Sequence, residues 1–187
     1  MTRQEALELL HKNMQNQNLR RHCYAVEVVM RSLAKRFHED EELWGIAGLL
    51  HDADYEIVKD DATRHTHLTT EWLKDIDIHS SVTDAILAHG WGYVPGNKMP
   101  ETTMQWSLYC CDELTGLIVA TALVKPDKKL ASVTVDSIMN KWNQKSFAAG
   151  VNREQIKMCE TKLAIPLPEF IEIALTSMQA IAPELGL

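Results

Sequence analysis

His51 and Asp52 sit side by side where an apolar run, Leu43-Trp44-Gly45-Ile46-Ala47-Gly48-Leu49-Leu50, gives way to a polar, acidic stretch from Asp54 to Asp61. Inside a helix two adjacent side chains point about 100° apart and do not easily share a ligand. At a helix end the backbone turns, and both can reach one point. An imidazole nitrogen and a carboxylate oxygen together suit a divalent transition metal. The plainer reading of the dipeptide alone is a helix C-terminus, with the imidazole near the negative end of the helix dipole and the aspartate opening the turn. Three further residues favour the metal. His22 lies at the edge of the apolar stripe Leu19, Cys23, Val26, Val29, Met30, Leu33, Phe37. His89 follows Val82, Ala85 and Ile86 at helical spacing, and Asp112 lies beside the face Met104, Leu108, Cys111, Thr115, Ile118. A carboxylate beside a buried face needs a cation or a dense hydrogen-bond shell. His22, His51, Asp52 and Asp112 make a mixed nitrogen and oxygen donor set suited to Mn, Fe, Co, Ni or Zn rather than Ca or a thiolate-preferring ion.

Helices must position these residues. Thr2 and Glu5 form a capping-box pattern for a first helix. Asn13 to Asn18 reads as a loop, and a second helix runs from Leu19 to Phe37. A third, Glu41 to Leu50, delivers His51 and Asp52. A polar turn leads to His65, His67 and a helix with Leu68, Trp72 and Leu73. Ser80 or Ser81 caps the next helix, which the Gly90–Gly96 loop ends. A long apolar helix spans Glu101 to Val124, and shorter ones follow over Val135–Trp142 and Arg153–Leu163. The last, about 167–182, follows Pro166 and carries Phe170, Ile173, Ala174, Met178 and Ile181. Alternating strand patterns and hairpin signals are scarce. The expected fold is all-α, a single-domain helical bundle over 1–187.

The 187 residues suffice for one full hydrophobic core. The longest apolar run, Leu117 to Val124, is too short to span a bilayer, which excludes a membrane partner. The N-terminus has no export-signal pattern, which points to the cytoplasm. Cys23, Cys110, Cys111 and Cys159 show no CxxC or framework spacing and read as reduced core thiols. A net charge of −7 argues against general nucleic-acid binding. An anionic small substrate therefore needs a local cation, and Arg20, Arg21, Lys145 and Arg153 are the candidates.

The order His22, then His51-Asp52 after an apolar run, then Asp112 resembles the HD superfamily of metal-dependent phosphohydrolases. The contexts Asn18-Leu19-Arg20-Arg21-His22, Leu49-Leu50-His51-Asp52-Ala53-Asp54-Tyr55-Glu56 and Asp112-Glu113-Leu114-Thr115-Gly116-Leu117 carry that resemblance, as does Ser146 to Glu154. It covers about residues 15–165. It implies a metal-dependent hydrolase that cleaves a small phosphate mono- or diester, nucleotide-like or otherwise, with metal-activated water. Two-metal relatives add two histidines between the HD pair and the last aspartate. His65, with His67 as competitor, and His89 hold those positions, as ligands of a second ion or as acid–base groups. Asp54 and Glu56 are placed to orient the attacking water. The alternatives are a metal-stapled scaffold without turnover and a di-iron oxygenase on the same framework.

Overall fold

A computed structural model describes residues 1–144 and 146–187. Lys145, one of the candidate phosphate cations, lies outside the described residues. The described residues form helices and no strand: α1 Arg3–Asn13, α2 Gln17–Phe37, α3 Glu41–Leu50, α4 Tyr55–Val58, α5 His67–Leu73, α6 Ser80–His89, α7 Thr103–Leu123, α8 Val135–Trp142, α9 Arg153–Lys162, α10 Leu167–Ala180 and α11 Ala182–Leu185, with short 3-10 turns at Ala62–Arg64 and Leu130–Ser132. The chain is all-α and shares one buried core.

Local chemistry sets most boundaries. Thr2 and Glu5 close the capping box of α1. The Asn16 side chain accepts from the backbone of Asn18 and Leu19, so α2 starts two residues before the apolar stripe suggests. The Asp40 side chain caps α3 in the same way. Neither Ser80 nor Ser81 caps α6. The His79 ring accepts from Ser81 N instead, because an unprotonated ring nitrogen can replace the usual hydroxyl. α4 has four residues, too few for a periodic signal.

α2 is the central post, packed against α3, α7 and α10, while α6 and α9 flank α7. α2 and α3 pack closely against each other. A Cβ on Gly48 would lie 2.9 Å from the Glu27 Cα and the Val26 carbonyl oxygen, so only glycine permits this spacing. All four cysteines are buried free thiols within the core. No described helix is long and apolar enough to cross a membrane.

Candidate metal centre

The tight α2–α3 contact brings the first two imidazoles together. His22 Nε2 and His51 Nε2 lie 3.2 Å apart. α7 crosses the same end of α2 and places Asp112 Oδ1 2.9 Å from His22 Nε2 and 3.5 Å from His51 Nε2. Asp52, in the turn after α3, directs Oδ2 to 3.6 Å from each of these nitrogens. Its other oxygen faces a second pair: Asp52 Oδ1 is 3.3 Å from His65 Nε2 and 3.4 Å from His89 Nε2, and those nitrogens are 3.2 Å apart. One carboxylate thus stands between two histidine pairs.

The second partner of each ring fixes its orientation. His51 Nδ1 donates to the Gly48 carbonyl at 2.8 Å, and His89 Nδ1 to the Ile86 carbonyl at 2.6 Å. His65 Nδ1 donates to Asp54 Oδ1 at 2.8 Å. Thr115 Oγ1 spends its hydrogen on the Asp112 carbonyl, so at 3.2 Å it accepts from His22 Nδ1. With every Nδ1 a donor, each neutral imidazole presents a bare Nε2 lone pair to the centre. Four such nitrogens and three carboxylate oxygens then meet with acceptors only, and His51 and His89 are fully buried. An acceptor-only cluster of this kind requires cations. The triads His22–His51–Asp112 and His51–Asp52–His89 each bring their ligand atoms within 4.8 Å of one another. The donor chemistry fits a divalent metal, and ring nitrogens held by carbonyl or carboxylate partners are the usual support of metal-binding histidines.

Without metal, protons fill the same role. Burial pulls the His51 imidazole down, but the charges of Asp52 and Asp112 outweigh it and raise it to about 9. Burial likewise opposes His65, and its hydrogen bonds to the Asp52 and Asp54 carboxylates lift it to about 10. Burial, reinforced by the charges of His51 and His65, holds His89 below the ordinary histidine value. Burial alone would raise the two aspartates. The surrounding imidazoles reverse that and hold Asp52 well below the usual carboxylate range, with Asp112 lowered too.

The remaining candidates divide. His65, not His67, faces Asp52, and the exposed His67 lines a different hollow with Thr70, Asp84 and Leu87. Asp54 is fully buried and engaged at both oxygens, by His65 Nδ1 and by Thr69 N at 2.9 Å. It stands behind His65 rather than beside a water position, because the turn after α3 points it inward. Glu56 accepts from Gln15 N and Asn16 N at 2.7 and 2.9 Å and ties α4 to the α1–α2 loop instead of entering the cluster. Arg20 is committed to the Met14 and His11 carbonyls. Arg153 donates to five carbonyls, those of Trp142, Gln144, Phe147, Ala148 and Val151, with Trp142 at 2.8 Å and Phe147 at 2.6 Å the shortest. Arg21 lies against Gly186, where a Cβ would be 2.7 Å from its Cζ. Sequence reasoning did not single out Gly48 or Thr115. The signal for Thr115 was its i,i+3 spacing from Asp112 on one helix face. For Gly48 it was a glycine one turn before His51 in the apolar run that ends at the histidine.

An all-helical bundle with an aspartate shared by two inward-facing histidine pairs defines a class of metal-site domain. The family model of the HD domain matches residues 19–113, which hold every residue of the histidine–aspartate cluster. The chain belongs to the HD domain family, most of whose members are metal-dependent phosphohydrolases. No curated protein matches the chain.

Proposed function

We propose that the protein is a metal-dependent hydrolase of a small phosphate ester, working with two divalent ions. The observation that carries this reading is Asp52, whose two oxygens face two separate imidazole pairs. His22, His51, Asp112 and Asp52 Oδ2 would hold the first ion, and His65, His89 and Asp52 Oδ1 the second. Such ions lower the pKa of a bound water and neutralise charge that builds on phosphorus.

The chain's own groups do the rest. Asp54 and the Gly48 and Ile86 carbonyls hold His65, His51 and His89 in the tautomer that presents Nε2 inward. Thr115 does the same for His22. The helices exclude bulk water from His51 and His89, which strengthens every charge interaction at the centre. His22, Asp52 and Asp112 keep side-chain exposures of 25, 14 and 17 % and form the open face toward solvent. Attack on an ester is confined to that side.

Metal analysis coupled to a phosphatase screen tests the proposal. Protein loaded with Mn²⁺ should hold two ions per chain and turn over at least one ester among nucleotides and aryl phosphates. Asp52→Ala, which takes an oxygen from each pair, should lose both ions to a chelator that leaves the parent loaded. Tight metal without turnover of any ester would point to a metal-stapled scaffold. Oxygen consumption by a reduced iron form would point to an oxygenase.

A further inference from the structure

Beside the open face of the cluster lies a cleft of about 470 Å³, the size of a small-molecule site. One wall is the metal-ligating set. The other is contributed by α4 and the Gly90–Gly96 loop and has a different chemistry. Tyr55 and Tyr93 line it with 44 % and 49 % of their surfaces exposed, among the most exposed large apolar side chains of the described residues. Both are aimed at one ligand. The Tyr93 ring lies within 22° of parallel to His65 with centroids 6.2 Å apart, and Tyr55 meets the same imidazole edge-on at 5.5 Å. Leu19 and Val58 add apolar lining to the same cleft.

Charge narrows the choice further. In a chain of net charge −7, an anion entering an acidic cluster needs a fixed cation nearby. Arg20 and Arg153 are spent on carbonyls. Lys59, at the end of α4, is the one lysine or arginine among the described residues that line this cleft.

Building on the hydrolase reading above, we propose that Tyr55, Tyr93 and Lys59 form the recognition side of the site and select phosphate monoesters that carry a planar aromatic ring. The ring rests on the two exposed phenols over Leu19 and Val58. The Lys59 ammonium meets the phosphate oxygens turned away from the ions. An aromatic contact needs a flat partner, so an alkyl phosphate of the same charge gains only the lysine.

The test is calorimetric binding of non-hydrolysable phosphonates to the Mn²⁺-loaded protein. Phenylphosphonate and 2-phenylethylphosphonate are compared with methylphosphonate and inorganic phosphate, the two aryl probes covering different reaches. At least one aryl probe should bind about 2–10-fold more tightly than methylphosphonate for each aromatic contact made. Tyr55→Leu and Tyr93→Leu, which retain apolar bulk at exposed positions, should reduce that preference, read as the ratio of aryl to methyl affinity within each variant. Lys59→Gln should weaken all four probes by about 3–10-fold at low salt and by less at high salt. Equal affinity for aryl and methyl probes, or variants that bind like the parent, overturns this inference while leaving the hydrolase reading in place. No binding of any probe together with no turnover of any ester overturns both.

Discussion

The His22–His51 pair depends on a glycine, Gly48, whose lack of a side chain lets α3 approach α2. A Cβ at Gly48 would sit 2.9 Å from the Glu27 Cα and the Val26 carbonyl oxygen, whereas ordinary contact begins at 3.4 Å. Both obstacles are backbone and cannot swing aside, so α3 must retreat from α2 by about 0.5 Å, the difference between those distances. His51 is three residues further along, bonded through Nδ1 to the Gly48 carbonyl, and moves with it. Overpacking of this kind costs about 1–3 kcal/mol, and the helix propensity of alanine over glycine returns about 1 kcal/mol. Gly48→Ala should therefore lose up to about 2 kcal/mol, or roughly 4–8 °C in melting temperature for a chain of this size. Metal affinity should fall further, by about 10–100-fold, as when a supporting partner of a metal-bound histidine is disturbed. Chelator competition with Mn²⁺ gives the affinity and a thermal melt the stability. Gly45→Ala is the control for metal affinity, because the atoms nearest its Cβ belong to the flexible Arg31 side chain, which bonds Glu27 and Glu42 and none of the cluster residues. If Gly48→Ala matched the parent in both measurements, close packing would not be what sets the distance between the two imidazoles.

His65→Ala and His89→Ala should each keep the ion held by His22, His51 and Asp112 but lower turnover by about 10²–10⁴-fold, measured as metal content and steady-state rate. Stripping the metal should lower the melting temperature by several degrees, since an ion at a hundredfold excess over its Kd adds about 2.7 kcal/mol to the folded state. The metal-free protein should lose stability as pH rises. His51 and His65 are lifted to about 9 and about 10 in the folded chain, so their contribution is full below about 6.5 and disappears as pH passes through 9 and 10. Metal affinity should rise over that same interval, because binding must displace those protons. A melting temperature of the stripped protein that is flat from pH 6 to 10 would contradict the assignment.

The helices were legible in the sequence because their apolar stripes are long enough to show a period. α3 runs from Glu41 to Leu50 as its composition suggests, and α7 falls inside the expected 101–124. α4 and the histidine cap of α6 were not, since four residues show no period and an imidazole is rarely the capping acceptor. At the site, residue types and order suggested ligands, but side-chain direction is decided by packing. Asp54 and Glu56 are near neighbours in sequence, yet one is buried behind His65 and the other reaches the α1–α2 loop. Arg20 and Arg153 looked like free cations because the carbonyls that hold them belong to helix ends and loop backbone, which no residue code reveals. Tyr55, Tyr93 and Lys59 share a cleft only because a short helix and a glycine-rich loop end on the same side of the cluster.

The two histidine pairs hang on unequal parts of the molecule. His22, His51 and Asp112 come from α2, the end of α3 and α7, the elements at the centre of the core. His65 is in the turn before α5, a peripheral segment of short helices, next to Thr66 at a φ of 69° that a β-branched residue adopts only under strain. Segments of this kind open on their own far more often than the long helices they rest against. The turn that carries His65 should therefore exchange its amide hydrogens faster than α2, which carries His22, although the His65 imidazole is the more deeply buried of the two.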